Sequence, residues 1–197
     1  MEPPTYLANK NPHERDAHIH FDEGPHIYTI DGDSNYMSVT TWNHSHFAPF
    51  DADKIITKMM AGKRWSQSKY YGQTAKEIKD GWSANGKAAS SAGTKMHYDI
   101  ECFYNDLDVE IEEGCVEWDY FTDFENEIGQ HLTPYRTEMM VWDKELRLAG
   151  SIDMIFENPD GTIQIYDWKR CKEINHDTEY GKFSKTSCIS HLPDTNF

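Results

Sequence analysis

The spacing of apolar residues along the chain shifts from two, to between three and four, and back to two, and each shift marks a change of element. Residues 1–16 are polar and proline-bearing and read as a flexible leader. Alternation in His18–Ile19–His20–Phe21 and again in His26–Ile27–Tyr28–Thr29–Ile30, separated by Asp22–Glu23–Gly24–Pro25, predicts a β-hairpin that Asp31–Gly32–Asp33 ends. From Ser38 to about Ala92 the pattern is mostly helical, and Thr74 with Glu77 forms a capping box that starts a helix reaching roughly Asn85. Gly93–Thr94 opens another helix with Met96, Ile100 and Phe103 as its apolar stripe. A third carries Trp118, Phe121, Phe124 and Ile128 and stops at Gly129. Then Tyr135–Trp142, Leu148–Phe156 and Thr162–Lys169 read as three consecutive strands, with turns at Asp143–Lys144–Glu145 and Asn158–Pro159–Asp160–Gly161. Helices followed by an antiparallel meander predict an α/β or α+β domain with a mixed central β-sheet, behind an N-terminal β-hairpin and a helical lead-in.

Composition adds bounds. A length of 197 residues fits one domain, taken as 17–197 with its core at roughly 90–172, and six Trp, eleven Tyr and nine Phe provide large side chains to bury. No run of about 18 apolar residues exists, and the first residues lack the apolar stretch of a secretion signal. The expected setting is therefore intracellular, cytoplasm or nucleus, a viral origin included, with no membrane partner. The net charge of −15 argues against a polyanion partner, but its distribution does not. Residues 99–127 hold twelve acids and no Lys or Arg, whereas residues 54–79 hold seven basic residues against the single acid Glu77. Lys169, Arg170, Lys172, Lys182 and Lys185 form a second basic cluster.

The densest chemistry lies in Asp167–Trp168–Lys169 at the end of the last predicted strand. With a period of two, Ile163, Ile165, Asp167 and Lys169 share a face, so a carboxylate and an ammonium terminate an apolar stripe. Phosphodiester cleavage uses such a pair: an acid to hold a hard cation, an ammonium to assist water and the anionic transition state. One strand earlier, Gly150–Ser151–Ile152–Asp153 offers a second carboxylate, which adjacent strands would bring to about 4–5 Å from the first. Two anions that close repel unless a cation lies between them, and oxygen ligands suit Mg²⁺ or Mn²⁺. On the helix that opens at Gly93, His97 and Glu101 stand one turn apart, and Glu138 on the preceding strand is placed to orient a ligand or water.

G-T-x-x-H, then E, then G-x-x-D, then D-x-K, in that order and on those elements, resembles the PD-(D/E)XK nuclease superfamily, and most closely its RecB-like exonuclease branch. The resemblance spans roughly residues 36–172 and within them includes Tyr71–Gly72 through Trp82, which look like the helical lead-in of related viral and phage nucleases. It implies an α/β fold with a restriction-endonuclease-like core, a mixed central β-sheet flanked by helices, and one or two Mg²⁺ or Mn²⁺ ions held by His97, Asp153, Asp167 and the backbone carbonyl of Trp168. Lys169 would be the catalytic lysine, with Glu101 and Glu138 as supporting acids. The implied activity is hydrolysis of DNA, as single strands or duplex ends, in replication, recombination or repair. RecB-like members usually continue into a helix with Gln-x-x-x-Tyr; only 28 residues follow Lys169 here and none form that motif.

Two other readings use the same residues: a catalytically inactive DNA-binding or assembly subunit, and an RNA endonuclease of the cap-snatching type. Cys102, Cys115, Cys171 and Cys188 form no CxxC pair and read as free thiols, since the iron–sulfur cluster of some such nucleases needs ligands grouped late in the chain. His18/His20 and His44/His46 lack partners at zinc-ligand spacing. The aromatics at Trp42, Phe47, Phe50 and Tyr70–Tyr71 are expected in the core.

Overall fold

The computed structural model describes residues 3–171, and Lys172, Lys182, Lys185 and Cys188 lie outside them. Its sheet is organised around one long strand, β5 (Leu148–Glu157). On one edge β5 pairs antiparallel with β4 (Thr133–Asp143). On the other it pairs parallel with the short β3 (Met37–Ser38) through Leu148 and Ala149, and antiparallel with β6 (Ile163–Tyr166) through Met154–Glu157. The sheet is therefore mixed in orientation, and on that second edge residues 150–153 of β5 fall between two partners. The predicted hairpin forms as β1 (Ile19–Asp22) and β2 (Ile27–Ile30), a separate two-stranded sheet.

Helices flank the sheet: α1 (Tyr6–Lys10), α2 (Val39–Ser45), α3 (Ala52–Met60), α4 (Ala75–Tyr104) and α5 (Val116–Glu127). The Thr74–Glu77 capping box is present, with Thr74 accepting from the Glu77 backbone N–H and Glu77 accepting from that of Thr74. Beyond this cap the chain departs from the expected two helices, because α4 runs unbroken for 30 residues through Gly86 and Gly93. An interior glycine weakens a helix by about 1 kcal/mol relative to alanine, and burial of Ile78, Ile100, Cys102 and Tyr104 along α4 offsets that. The last strand also differs. It stops at Tyr166, and Ile163 and Ile165 are 56% and 62% exposed. The rings of Tyr166 and Trp168 turn inward instead, against a core of Leu7, Ile100, Tyr104, Phe121, Met154 and Phe156. An aromatic ring buries more area than an isoleucine, and that decides which face of β6 turns in.

A second cluster joins the hairpin to the sheet through Ile19, Tyr28, Ile30, Trp142 and Ala149. The leader, expected to be loose, packs instead. Leu7 is buried in the main core, and its N–H donates to Asn105 Oδ1 at 2.9 Å. Buried Arg136 on β4 grips Asp16 with both terminal nitrogens, at 2.8 and 3.1 Å, and donates to the carbonyl of Asn11. A buried guanidinium without a counter-ion is costly, so β4 demands the leader. Among the described residues no helix is long and apolar enough to cross a membrane.

The Arg136 guanidinium holds the Asp16 carboxyl below its ordinary range, so this pair contributes stability above the unfolded carboxyl value and loses it as pH falls through the folded one. Asp16→Asn should lower the denaturation free energy at neutral pH by about 1–2 kcal/mol, less than for a fully buried pair because Asp16 is partly exposed. It should also flatten the acid limb of the stability profile below about pH 4. Urea melts at pH 7 and pH 3 check both, and an unchanged acid limb would contradict the assignment.

Candidate metal centre

The site is assembled from one helix and two strands. The register pairs Thr137 with Met154 and Met139 with Ile152, which sets Glu138 opposite Asp153 where the ladder is interrupted. Glu138 has a φ of 43°, in the left-handed region that a non-glycine residue seldom occupies within a strand. Such strain is held only where its surroundings over-determine it. Here it marks the point at which β4 turns a carboxylate toward α4.

From α4, His97 meets that pair. Its Nδ1 lies 3.7 Å from Glu138 Oε1 and 3.6 Å from Asp153 Oδ2. One donor atom from each of His97, Glu138 and Asp153 falls within 4.8 Å of the others, the arrangement in which a metal ion could be held. Donors sharing an ion at about 2.0–2.2 Å each stand at most about 4.4 Å apart, so little closure is needed. Asp153 is further fixed by the Trp168 backbone N–H, which donates to its Oδ2 at 2.8 Å.

The electrostatics describe a site with too much negative charge. The Glu138 carboxylate, aided by Asp153, outweighs burial and holds the His97 imidazole above its ordinary value. Burial works against the charge on Glu138, yet His97, Ser151 and Lys169 together keep its carboxyl low. Burial raises Asp153 despite the Trp168 N–H. One turn along α4, burial and the nearby Glu138 push Glu101 up to about 7. A cation among these acids would relieve their repulsion, and the donor set of one imidazole and two carboxylates fits a divalent ion.

The expected site residues divide into two groups. His97, Glu138 and Asp153 converge, with Glu101 adjacent. Glu138 stands among the donor atoms themselves rather than behind them. Asp167 and Lys169, beyond the end of β6, are exposed and bonded to each other at 2.6 Å. They still act on the centre: Asp167 raises Asp153, and Lys169 lowers both His97 and Glu138. At Trp168 the N–H, not the carbonyl, touches a site residue, and the ring is packed in the core. Ser151, which helps to keep Glu138 charged, has no signal of its own in the sequence beyond its place inside the G-x-x-D that carries Asp153.

The surroundings separate by charge. A groove of about 510 Å³, lined by Met96, Ile100, Tyr120, Phe124 and Trp168, is edged by Lys169 and Arg170. A hollow of about 870 Å³, reached by Lys95, Tyr98 and Asp99 of α4, carries Asp108, Glu110 and Glu112 and would repel an anion. Cys102, Cys115 and Cys171 are free thiols, as expected. His18 pairs with Asp31, and among the described residues neither histidine pair joins a metal-ligand group. Comparison with protein-family models, with curated proteins and with solved structures gave no match for this chain.

A carboxyl whose folded value is raised makes the folded state bind more protons, so stability falls as pH rises from the unfolded value toward the folded one. For Glu101 the window is 4.5 to about 7. In EDTA the protein should lose on the order of 2–3 kcal/mol of stability from this group between pH 5 and pH 8, and Glu101→Gln should remove that loss. Guanidinium denaturation at the two pH values measures it; an equal loss in the variant would exclude Glu101 as the source.

Proposed function

We propose that the chain is a divalent-metal-dependent nuclease of the PD-(D/E)XK type, with a restriction-endonuclease-like core, acting on DNA. The observation that carries this reading is the convergence of His97, Glu138 and Asp153 on one point that is also within electrostatic reach of the Asp167–Lys169 pair. The mixed sheet with flanking helices is compatible with that fold. The crowding of carboxylates around an imidazole supports a cation there, and Mg²⁺ or Mn²⁺ suits the oxygen-rich set.

His97, Glu138 and Asp153 would hold the ion, and Asp167 would join them by rotation of an exposed side chain. When bound, the metal supplies Lewis-acid activation of water and of the phosphodiester. The chain's own residues then divide the remaining work. Lys169 presents an ammonium beside the acids, where it can neutralise charge that builds on the phosphoryl oxygens and orient the attacking water. The Trp168 N–H keeps Asp153 in place, and the kinked backbone at Glu138 aims its carboxylate. Glu101, one turn along α4 from His97, would be a supporting acid beside the bound ion.

The Asp167–Lys169 bond favours one second reading, a subunit that keeps the fold and binds DNA without cutting it, because it engages both side chains with each other. Lys169→Ala separates the two. The nuclease reading expects cleavage of end-labelled DNA in Mn²⁺ to fall by about 100-fold or more while calorimetric Mn²⁺ binding persists. Asp153→Ala should lose both. Wild-type rates in Lys169→Ala would remove the lysine from the mechanism. Absence of cleavage of DNA and RNA by the wild type, with no Mn²⁺ bound, would leave the non-catalytic reading.

A further inference from the structure

We infer that the face formed by α3 and the turn after it is a binding surface for single-stranded nucleic acid, which feeds the strand along α4 toward the metal centre. Between Asp53 and Glu77 the sequence holds six Lys or Arg and no acid, in a chain of net charge −15. Lys54, Lys58, Lys63, Arg64 and Lys69 are all exposed. The ion pairs in this region use Lys76 with Asp80 and Lys79 with Asp53, and leave those five cations outside any ion pair among the described residues. Unneutralised cations clustered on an acidic protein are the footprint of a polyanion.

Aromatic rings accompany the charge. Phe50 and Tyr71, expected in the core, are 63% and 62% exposed. Tyr71 meets Trp65 edge to face at 5.9 Å, and Phe50 meets Trp82 at 5.8 Å. Lys58, Arg64 and Trp65 share a depression of about 420 Å³, roomy enough for one nucleotide unit. Phosphates follow cations and unpaired bases stack on exposed rings, whereas paired bases already stack on one another. Interleaved rings and cations therefore favour a single strand over a duplex, and over an anionic membrane, to which exposed rings in a shallow depression offer no continuous apolar face.

The link to the centre comes from helix geometry. Lys79, which ties α4 to α3 through Asp53, precedes His97 by 18 residues. That is about five turns, so the two side chains lie on one face of α4 about 27 Å apart. A strand following α4 from the level of Lys79 to that of His97 would span about eight nucleotides at a stacked spacing of about 3.4 Å. The identity of the polyanion rests on the nuclease reading.

The test is fluorescence anisotropy with a labelled dT20 oligonucleotide, a matching duplex, and phosphatidylserine vesicles, all in EDTA so that cleavage cannot intervene. The triple variant Lys58→Ala/Lys63→Ala/Arg64→Ala should bind dT20 at least 10-fold more weakly than wild type, with a salt slope shallower by about 2. Tyr71→Ala should weaken dT20 about 10-fold and leave the duplex unaffected. All these residues are exposed, so folding is preserved, and circular dichroism checks it. Triple-variant affinity within twofold of wild type would overturn the inference, as would equal affinity of wild type for single strand and duplex, or binding to vesicles alone. Loss of binding in the variant, from a wild type that never cleaves, would sustain this face and sink the nuclease reading. Cleaving wild type with unchanged binding in the variant would do the reverse.

Discussion

Mutual repulsion among acids brought together by β-sheet register governs this structure. Strand β5 sets Asp153 opposite Glu138, and α4 adds Glu101 from above. None of these groups can retreat, because β5 is paired along β4 for nearly its whole length and its C-terminal half lies in the core. The fold accommodates the conflict in three ways: an imidazole held toward its cationic form, a carboxyl kept partly protonated near neutrality, and a backbone distortion at Glu138. Each is unfavourable by itself, and a folded chain carries it only if something else in the structure over-compensates.

That compensation is spread over the aromatic core and the N-terminal segment. Phe121, Tyr104 and Phe156 pack edge to face, and Trp168 joins them from just past β6. The same residue whose ring anchors the segment also donates its N–H to Asp153. The core therefore positions the site directly, because the Trp168 ring and the N–H that holds Asp153 belong to one residue. The leader acts on β4 through Arg136, two residues before Glu138, and its Leu7 joins the same core.

Much of this is legible in the residues. The hairpin, the capping box and the three-strand meander come from period and turn chemistry, whereas the pairing of His97 with Asp153 comes from the motif order that resembles a nuclease family. The departures have physical causes. Gly93 resembles a helix start because glycine punctuates, yet propensity is weak beside the burial of Ile78, Ile100 and Tyr104. Ile163 and Ile165 read as inward because isoleucine is apolar, but Tyr166 and Trp168 out-compete them for the core. Glu138 cannot be promoted to the centre without its φ, which no pattern reveals. Asn11, Asp16 and Leu7 read as loose because the groups they satisfy, on Arg136, Tyr135 and Asn105, are more than 90 positions away.

Gly81, Gly86 and Gly93 occupy the stretch of α4 between the cationic face and the acidic centre, and a Cβ at any of them would meet nothing within 4 Å beyond its chain neighbours and the surrounding helix backbone. Close packing therefore does not require them. What they change is stiffness: a rod with three such positions bends more readily than one built of alanine. If a strand is gripped at one end of α4 and positioned at the other, the alignment between grip and cut is set by the mechanical compliance of this single helix rather than by a joint between domains.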